Sequence, residues 1–382
     1  VVSGLYPPGS TFKIVTATAG LEEGVIDQNT LVEDIGVLTV GPYSYGNWYF
    51  SQYGRTEGEI NIVKAIARSN DIFFYKLGEW LQIDRLEDWA HRFYADEIID
   101  TELGGEVAGI IRRDRDWYLG DTYHAAIGQG DVMTTPLHVH TWGQIIANEG
   151  KLCTPTLLNK KTPLREVLIS GFDWPKQPDF PFIYTVSHTQ YSVKNQWGGP
   201  EGNRTPEAMN GKSGSGPTRA HSRSSVTNKQ EYSQENELKF IKKAYAADDQ
   251  CIDIGISEKT LDLVQQGMKA ACSTGGTAWP LFNFEVTSYQ LPVTSAQEEK
   301  DNPETGNRKL VTIPIACKTG TAEFGHPDDK THAWLTAYAP IDNPEIVVTV
   351  LLEEGGEGSS HAGPVVKDIL TAWFESSSSS IQ

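Results

Sequence analysis

The residues best suited to nucleophilic chemistry lie close to the start of the chain. Ser10 follows a turn-forming Tyr-Pro-Pro-Gly run and precedes a stretch that predicts a helix over residues 11–21. Lys13 is three residues further on, so a helix would bring its amine to the face that carries the Ser10 hydroxyl. A hydroxyl beside an amine at a helix amino terminus pairs a nucleophile with a base, and the free backbone N–H groups there suit a developing oxyanion.

A second polar triplet, Ser69-Asn70-Asp71, lies between two stretches with helical spacing of apolar residues, at 59–68 and 72–81. The triplet is therefore predicted to occupy the bend between two helices, where short polar side chains can face a cleft. Taken alone, this pattern is more often an ordinary helix cap.

A third segment, Lys318-Thr319-Gly320-Thr321, continues a strand predicted from the alternation at residues 310–316. Alone, it is typical of a strand that runs into a turn. Each of the three patterns occurs once in the chain, in this order. Together with their flanks they resemble the transpeptidase domain of class B penicillin-binding proteins.

The resemblance extends beyond the three motifs and covers roughly residues 1–155 and 256–375. It is closest to the elongation-type, cell-shape branch of the family. The similar segments are residues 5–13 (LYPPGSTFK), 117–122 (WYLGDT), 127–130 (IGQG), 134–137 (TTPL), 266–268 (QGM), 275–278 (GGTA) and 332–334 (HAW).

The resemblance implies a serine D,D-transpeptidase or carboxypeptidase that acts on peptidoglycan stem peptides ending in D-Ala-D-Ala and is acylated by β-lactams. Ser10 would be the nucleophile and Lys13, held neutral by burial and by the second cation Lys318, would be its base. Ser69 would relay the proton to the leaving amine. Asp71 stands where the family has Asn or Asp, and its charge would partly oppose that of Lys318.

The resemblance also assigns the substrate contacts. Thr319 and Thr321 would hold the terminal carboxylate, and Gly320 would leave room for the substrate against the strand edge. The oxyanion hole would consist of the backbone N–H groups of Ser10 and Thr321. No metal-ligand spacing or Gly-rich phosphate loop is present in the sequence, so we expect no cofactor and no metal.

Helices first, then short strands and a closing helix predict an α+β fold with an antiparallel sheet. The resemblance implies the penicillin-binding protein / serine β-lactamase-like fold, with about five strands between helical layers. Three strands are predicted, in residues 310–321, 334–339 and 346–352. The other two would precede Val1 in an amino-terminally truncated fragment, which would leave the strand at 346–352 with an unpaired edge.

Further helices are predicted at residues 83–93, 134–148, 257–271 and 364–374. One transpeptidase domain would span residues 1–375, interrupted by a polar insertion at about 156–255 and followed by a disordered Ser-rich tail at 376–382. Residues 198–237 and 285–308 are predicted to be polar loops.

Composition narrows the class of partner and the compartment. The net charge of -18 argues against nucleic acid, which binds basic patches. No apolar run approaches the ~18–20 residues of a membrane span. The resemblance implies an anchored protein at the extracytoplasmic face of the bacterial membrane, with glycosyltransferase and elongation-complex partners that contact regions before Val1.

The four cysteines lack metal or framework spacing and are predicted to be free thiols, with Cys317 a candidate to line the site.

Two alternatives remain open at this point. A serine β-lactamase is one, because residues 10–13 also resemble the nucleophile motif of the class D enzymes and Tyr45-Gly46-Asn47 resembles another of their motifs. A non-catalytic β-lactam sensor of the same fold is the other, since sensors keep the same triplets. A division-type transpeptidase would differ only in the assembly that it joins.

Overall fold

The computed structural model describes residues 1–101, 104–112, 115–155, 182–188, 251–287, 310–325 and 327–378. Its α-helices are α1 (Lys13–Glu22), α2 (Trp48–Tyr53), α3 (Ile62–Arg68), α4 (Asp71–Arg92), α5 (Leu119–Ala126), α6 (Pro136–Ala147), α7 (Glu258–Ala271) and α8 (Gly363–Ser378). Short 3₁₀ turns lie at Gly9–Phe12 and Trp279–Leu281, and a π-helical turn at Gly358–Ala362. None of the described helices is both long enough and apolar enough to cross a membrane.

The strands that accompany these helices are short except in one sheet. They are β1 (Val32–Asp34), β2 (Val37–Val40), β3 (Tyr43–Gly46), β4 (Gly58–Ile60), β5 (Lys151–Cys153), β6 (Phe182–His188), β7 (Cys251–Asp253), β8 (Glu285–Thr287), β9 (Leu310–Thr312), β10 (Ala316–Glu323), β11 (Thr331–Ala339) and β12 (Ile346–Leu352). Two-stranded pairs join β1 with β4, β2 with β3, β5 with β7 and β8 with β9. The main sheet has the order β10-β11-β12-β6, and all of its pairs are antiparallel.

The main sheet is covered by apolar side chains on both faces. Successive residues of a strand point to opposite faces, so β11 sends Trp334 and Tyr338 into one cluster and Leu335 and Ala337 into the other. The larger cluster includes apolar residues of α1 and α3–α7, whereas α8 packs on the opposite face. Strand β12 is buried throughout, which explains its uninterrupted apolar sequence. The predicted α+β fold with an antiparallel sheet between helical layers is confirmed.

The unpaired edge predicted for the strand at residues 346–352 was wrong. Strand β6 pairs along the whole of β12, from Ile346 opposite His188 to Leu352 opposite Phe182. The partner strand therefore comes from within the range 156–255, whose composition had suggested only a polar insertion. That this range interrupts a single domain stays a prediction, since residues 182–188 and 251–255 are its only described parts.

The predicted helices are present with shifted ends, whereas the single strand predicted at residues 310–321 is wrong, because β9 and β10 are separate strands in different sheets. The predicted separation of residues 72–81 from 83–93 corresponds to a kink inside α4, where Gln82 has φ 65° and ψ 160°. The loop predicted at 198–237 lies outside the described residues. The loop predicted at 285–308 begins with strand β8, and its remainder lies outside them. Helix α8 continues to Ser378, so the predicted tail begins as helix, and residues 379–382 are outside the described part.

Candidate active site

The nucleophile candidate Ser10 lies in the 3₁₀ turn Gly9–Phe12 that leads into α1, so the α-helix begins two residues later than predicted. Gly9 has φ +54°, and its N–H donates to the Gly128 carbonyl at 2.8 Å. A Cβ on Gly9 would lie 2.9 Å from the Thr321 carbonyl oxygen. Glycine is therefore needed here both for the backbone conformation and for the close contact of the turn with β10.

Ser69 occupies the bend between α3 and α4, as predicted. It ends α3 in the left-handed conformation, with φ 53° and ψ 38°, and is 6% exposed. The next residue, Asn70, caps α4 by accepting a hydrogen bond from the Phe73 N–H at 2.9 Å. A serine held in this uncommon backbone region at a buried bend is typical of functional sites.

Two buried lysines meet at the Ser69 hydroxyl. Lys318 Nζ donates to Ser69 Oγ at 2.8 Å and to the Thr319 carbonyl at 2.9 Å. Lys13 Nζ donates to the Ser69 carbonyl at 2.8 Å and lies 3.4 Å from Ser69 Oγ. Both lysines are 0% exposed. The structure thus brings the first, second and third motifs together around one hydroxyl.

Asp71 neutralises the first of these lysines. Its Oδ1 accepts from Lys13 Nζ at 2.6 Å, and its Oδ2 accepts from the Trp48 N–H at 3.0 Å. Asp71 was predicted to oppose the effect of the second cation, Lys318, on the charge of Lys13. In the structure it contacts Lys13 directly, as an ion pair. Within the described residues, no hydrogen bond joins the Ser10 hydroxyl to Lys13, whose amine is turned toward Ser69 and Asp71.

Burial shifts the titration of both amines. Burial lowers the pKa of Lys13, and the nearby Asp71 carboxylate partly offsets that effect. Burial lowers the pKa of Lys318 well below its usual value, and the positive charge of Lys13 lowers it further. Because Asp71 pairs with Lys13, the neutral form is favoured more strongly at Lys318 than at Lys13. The expected assignment, with Lys13 as the neutral base and Lys318 as the second cation, stays a prediction.

The outer edge of β10 offers backbone groups beside the nucleophile turn. Oriented to satisfy both of its atoms, the Gln129 carboxamide exchanges two 3.0 Å hydrogen bonds with the N–H and C=O of Glu323. Because residues two apart in a strand point their backbone groups to the same side, the N–H and C=O of Thr321 also face outward. The predicted oxyanion donor at Thr321 is thus on the edge that contacts the Ser10 turn.

The threonine hydroxyls of β10 are already tied to neighbouring loops. The Thr319 hydroxyl shares a 2.8 Å hydrogen bond with that of Thr277, and the Thr321 hydroxyl accepts from the Gly358 N–H at 3.3 Å. Thr277 belongs to the segment at 275–278 that resembled the family, but its contact with Thr319 was not predicted. The sequence signal that could have indicated this contact was the hydroxyl of Thr277 itself, which lies in the loop before the last motif.

Gly320 lies at a point of close packing within the fold, and the room that it was predicted to leave for the substrate stays a prediction. A Cβ on this residue would lie 3.0 Å from Thr11 Cγ2, 3.0 Å from Trp334 Cβ and 3.2 Å from the Pro8 carbonyl oxygen. The space is therefore occupied by the nucleophile turn and by β11, and Gly320 permits their close packing. Trp334, predicted to be a core residue, is buried, and its Nε1 donates to the Pro7 carbonyl at 3.0 Å.

The prediction of free thiols was wrong. Cys153 is bonded to Cys251, and Cys272 to Cys317. Cys317 is buried in the apolar cluster on the α8 side of the sheet, so it does not line the site. Its disulfide joins the residue before Lys318 to the carboxyl end of α7. No group of three or more His, Cys, Asp or Glu side chains in the described ranges is arranged to hold a metal ion.

Comparison with known proteins shows the family to which similar chains belong. The profile of the penicillin binding protein transpeptidase domain matches residues 1–234 and 229–371. The peptidoglycan D,D-transpeptidase MrdA of Haemophilus influenzae is 27% identical over 381 residues, which are 96% of this chain and 44% of that protein. MrdA of Escherichia coli is 33% identical over 165 residues, 41% of this chain and 25% of that protein. The chain thus spans less than half of the length of either relative.

Solved structures give the same fold. PBP2 of Pseudomonas aeruginosa has a TM-score of 0.61 at 26% identity, with 98% of this chain and 62% of that chain covered. PBP2 of Helicobacter pylori, solved in complex with MreC, has a TM-score of 0.61 at 23% identity, with 98% and 50% covered. The chain belongs to the penicillin-binding protein transpeptidase family and is similar to its MrdA and PBP2 members, as the motifs and their flanks predicted.

Proposed function

We propose that the chain carries a serine D,D-transpeptidase site that cross-links peptidoglycan stem peptides and is acylated by β-lactams. The observation that carries the proposal is the Ser69 hydroxyl, which lies 2.8 Å from the buried Lys318 and 3.4 Å from the buried Lys13. The arrangement lies beside the turn that holds Ser10. The names of the relatives, peptidoglycan D,D-transpeptidase, support the same reaction.

In this reaction Ser10 Oγ attacks the carbonyl carbon of the penultimate D-alanine. The negative charge that develops on the carbonyl oxygen is stabilised by the backbone N–H groups of Ser10 and Thr321, and losing one such donor typically costs about 3–4 kcal/mol. The C–N bond then breaks, D-alanine leaves as the amine, and the acyl group stays on Ser10. An amine of a second stem peptide, or water in a carboxypeptidase reaction, takes the acyl group from Ser10.

The proton released by Ser10 passes into the pair of buried lysines. Burial lowers the pKa of both amines, which favours a pair that has lost one proton and can accept another. Lys13 is on the helix that starts at the Ser10 turn and is the acceptor closest to it in sequence. The Ser69 hydroxyl bridges the two amines and carries the proton on to the leaving nitrogen. The terminal carboxylate of the donor peptide is held by Thr319 and Thr321, with Lys318 behind them.

Labelling with fluorescent penicillin, followed by intact-mass analysis, tests the proposal. A stable adduct is expected on the unmodified chain and on Ser3→Ala, a matched control at an exposed serine, but not on Ser10→Ala. An adduct that persists on Ser10→Ala would refute the role of Ser10. Rapid hydrolysis of a chromogenic cephalosporin, in place of a stable adduct, would instead identify a β-lactamase.

The cellular setting follows from the same proposal. The substrate is peptidoglycan, so the site acts at the extracytoplasmic face of the bacterial membrane. The PBP2 structure from Helicobacter pylori contains MreC, and another structural relative is described as a peptidoglycan synthase complex. By analogy we assign this chain elongation-complex partners, including a glycosyltransferase. An acyl-enzyme that passes its acyl group to an amine would exclude a non-catalytic sensor.

A further inference from the structure

Asp34 is a buried carboxylate that the proposed reaction does not use. It ends strand β1 and is 2% exposed. Its Oδ1 accepts from the Gly36 N–H at 2.9 Å. Its Oδ2 accepts from the Glu57 N–H at 2.9 Å and from the side-chain amides of Asn47 at 2.9 Å and Asn70 at 2.8 Å. Four donors thus converge on one carboxylate.

The two amide contacts fix how both asparagines are oriented. Because each NH₂ group faces Asp34, each amide oxygen points the other way, toward the first turn of α4. Asn47 Oδ1 accepts from the Asp71 N–H at 3.2 Å, and Asn70 Oδ1 accepts from the Phe73 N–H at 2.9 Å. Both amides therefore hold free N–H groups at the amino end of α4. The Asp34 carboxylate thus determines that the oxygen of each amide, and not its NH₂ group, faces α4.

The helix end held in this way carries the active-site carboxylate. Asp71 is the first residue of α4, and its side chain spans Lys13 Nζ at 2.6 Å and the Trp48 N–H at 3.0 Å. Trp48 directly follows Asn47, so the same loop fixes both the backbone and the side chain of Asp71. The contacts form a continuous path from Asp34 through Asn47 and Asp71 to Lys13.

We propose that Asp34 is a positioning residue for acylation, which sets the place of Asp71 on Lys13 by orienting the amides of Asn47 and Asn70. The proposal rests on the proposed function for its kinetic consequence, but the positioning itself is independent of it. Asp34 touches neither the nucleophile nor the lysines and acts through the two asparagines.

The position requires a carboxylate because every group around it is a donor. An amide at this position would direct its own NH₂ either at the N–H of Gly36 or at the three donors that now share Oδ2. In both orientations buried donors would face each other, and at least one hydrogen bond would be lost without replacement. The first turn of α4 would then be free to shift, and with it Asp71.

The test compares Asp34→Asn with Glu33→Gln, which removes a charge from the adjacent, exposed residue of the same strand. The first readout is the rate of acylation by fluorescent penicillin as a function of pH. We expect Asp34→Asn to slow acylation at its plateau on the order of tenfold to a hundredfold, because small misplacements of catalytic groups have effects of this size. Glu33→Gln should match the unmodified protein.

The second readout is the titration of Lys13, followed by ¹³C NMR on lysine-labelled protein. The charged neighbours of Lys13 are Asp71, which raises its pKa, and Lys318, which shares Ser69 with it. A displaced Asp71 would raise that pKa less, so the Lys13 titration and the acid limb of the acylation profile should both move to lower pH in Asp34→Asn. If Asp34→Asn only destabilised the fold, less folded protein would be obtained, but neither the Lys13 titration nor the acid limb of the acylation profile would move.

If Asp34→Asn does not fold, Asn47→Ala provides the same test, because it removes the amide between Asp34 and Asp71 and leaves the carboxylate and Asn70 in place. Unchanged acylation and an unchanged Lys13 titration in a folded variant of either kind would overturn the proposal. If the unmodified protein is not acylated at Ser10 but the Lys13 titration still moves, the positioning stands and the proposed function falls.

Discussion

Replacing Lys318 with methionine should abolish acylation and also reduce the pH dependence of stability. Lys318 is 0% exposed, and burial together with the charge of Lys13 lowers its pKa well below the usual 10.5. Between the lowered pKa and 10.5, the unfolded chain binds a proton at this position that the folded site does not. The free energy of unfolding must therefore rise as the pH rises toward 10.5. Below the lowered pKa both states bind the proton, and the penalty of burial is complete and constant.

The size of the effect follows from the proton count. One proton bound by the unfolded chain alone changes the free energy of unfolding by about 1.4 kcal/mol per pH unit. From pH 7 to pH 9 the unmodified protein should thus gain stability relative to Lys318→Met, which has nothing to titrate at this position, by at most roughly 3 kcal/mol. Lys13 titrates in both proteins and is coupled to Lys318, so the difference between the two slopes reports the titration of Lys318 together with its effect on Lys13.

Urea unfolding at pH 7, 8 and 9, followed by tryptophan fluorescence, measures this difference. Lys367→Met, at an exposed lysine of α8, is the matched control and should keep the slope of the unmodified protein. Parallel pH dependences for the unmodified protein and Lys318→Met would show that Lys318 stays protonated in the folded state. That result would refute the argument that burial makes Lys318 a proton acceptor.

Three other changes test the site. Asp71→Asn removes the carboxylate that raises the pKa of Lys13, so the acid limb of the acylation profile should move to lower pH, as measured with fluorescent penicillin. Gly320→Ala should slow acylation on the order of tenfold in a stopped-flow assay, because its Cβ would lie 3.0 Å from a side chain of the nucleophile turn. Replacing Cys272 and Cys317 together with serine should lower the free energy of unfolding by about 2–4 kcal/mol in urea titrations.

For each of these three variants, one result would contradict the prediction. An unmoved acid limb in Asp71→Asn, relative to the exposed control Asp116→Asn, would show that the ion pair does not set the titration. Equal acylation rates for Gly320→Ala and for Gly104→Ala, where a Cβ meets nothing within 4 Å, would show that the turn does not depend on close packing at β10. An unchanged unfolding midpoint in the double serine variant would show that the disulfide does not stabilise the folded protein.

The sequence predicted the parts of the site that are built from contiguous residues. Ser10 and Lys13 share one helix start, and Ser69 lies at the junction of two helices whose apolar spacing was visible. A strand carrying the third motif was predicted, but the alternation used for it lies mostly before β10, in the separate strand β9 and the residues between the two strands. These local rules were sufficient to identify the groups that meet, because each motif lies on a single element or bend with a defined periodicity.

The contacts that could not be predicted join residues far apart in the chain. Strand β6 pairs with β12 across more than a hundred residues, and the Cys272–Cys317 disulfide spans 45. Neither pairing leaves a periodic signal, and scattered cysteines permit several connectivities. Asp34 was missed for the same reason, since its donors come from four separate segments. Asn47 had been noticed only within a tripeptide that pointed to a different enzyme class.

The charges around Ser69 have a consequence for ligand binding. The described side chains there supply two amines, on Lys13 and Lys318, and one carboxylate, on Asp71. The buried cluster is electrically neutral when one amine is unprotonated. An anionic ligand adds a negative charge, which favours protonation of the neutral amine, and by linkage a proton is taken up as the anion binds. The affinity of the site for carboxylates should accordingly fall as the pH rises past the titration of that amine, even though the ligand itself does not titrate in this range.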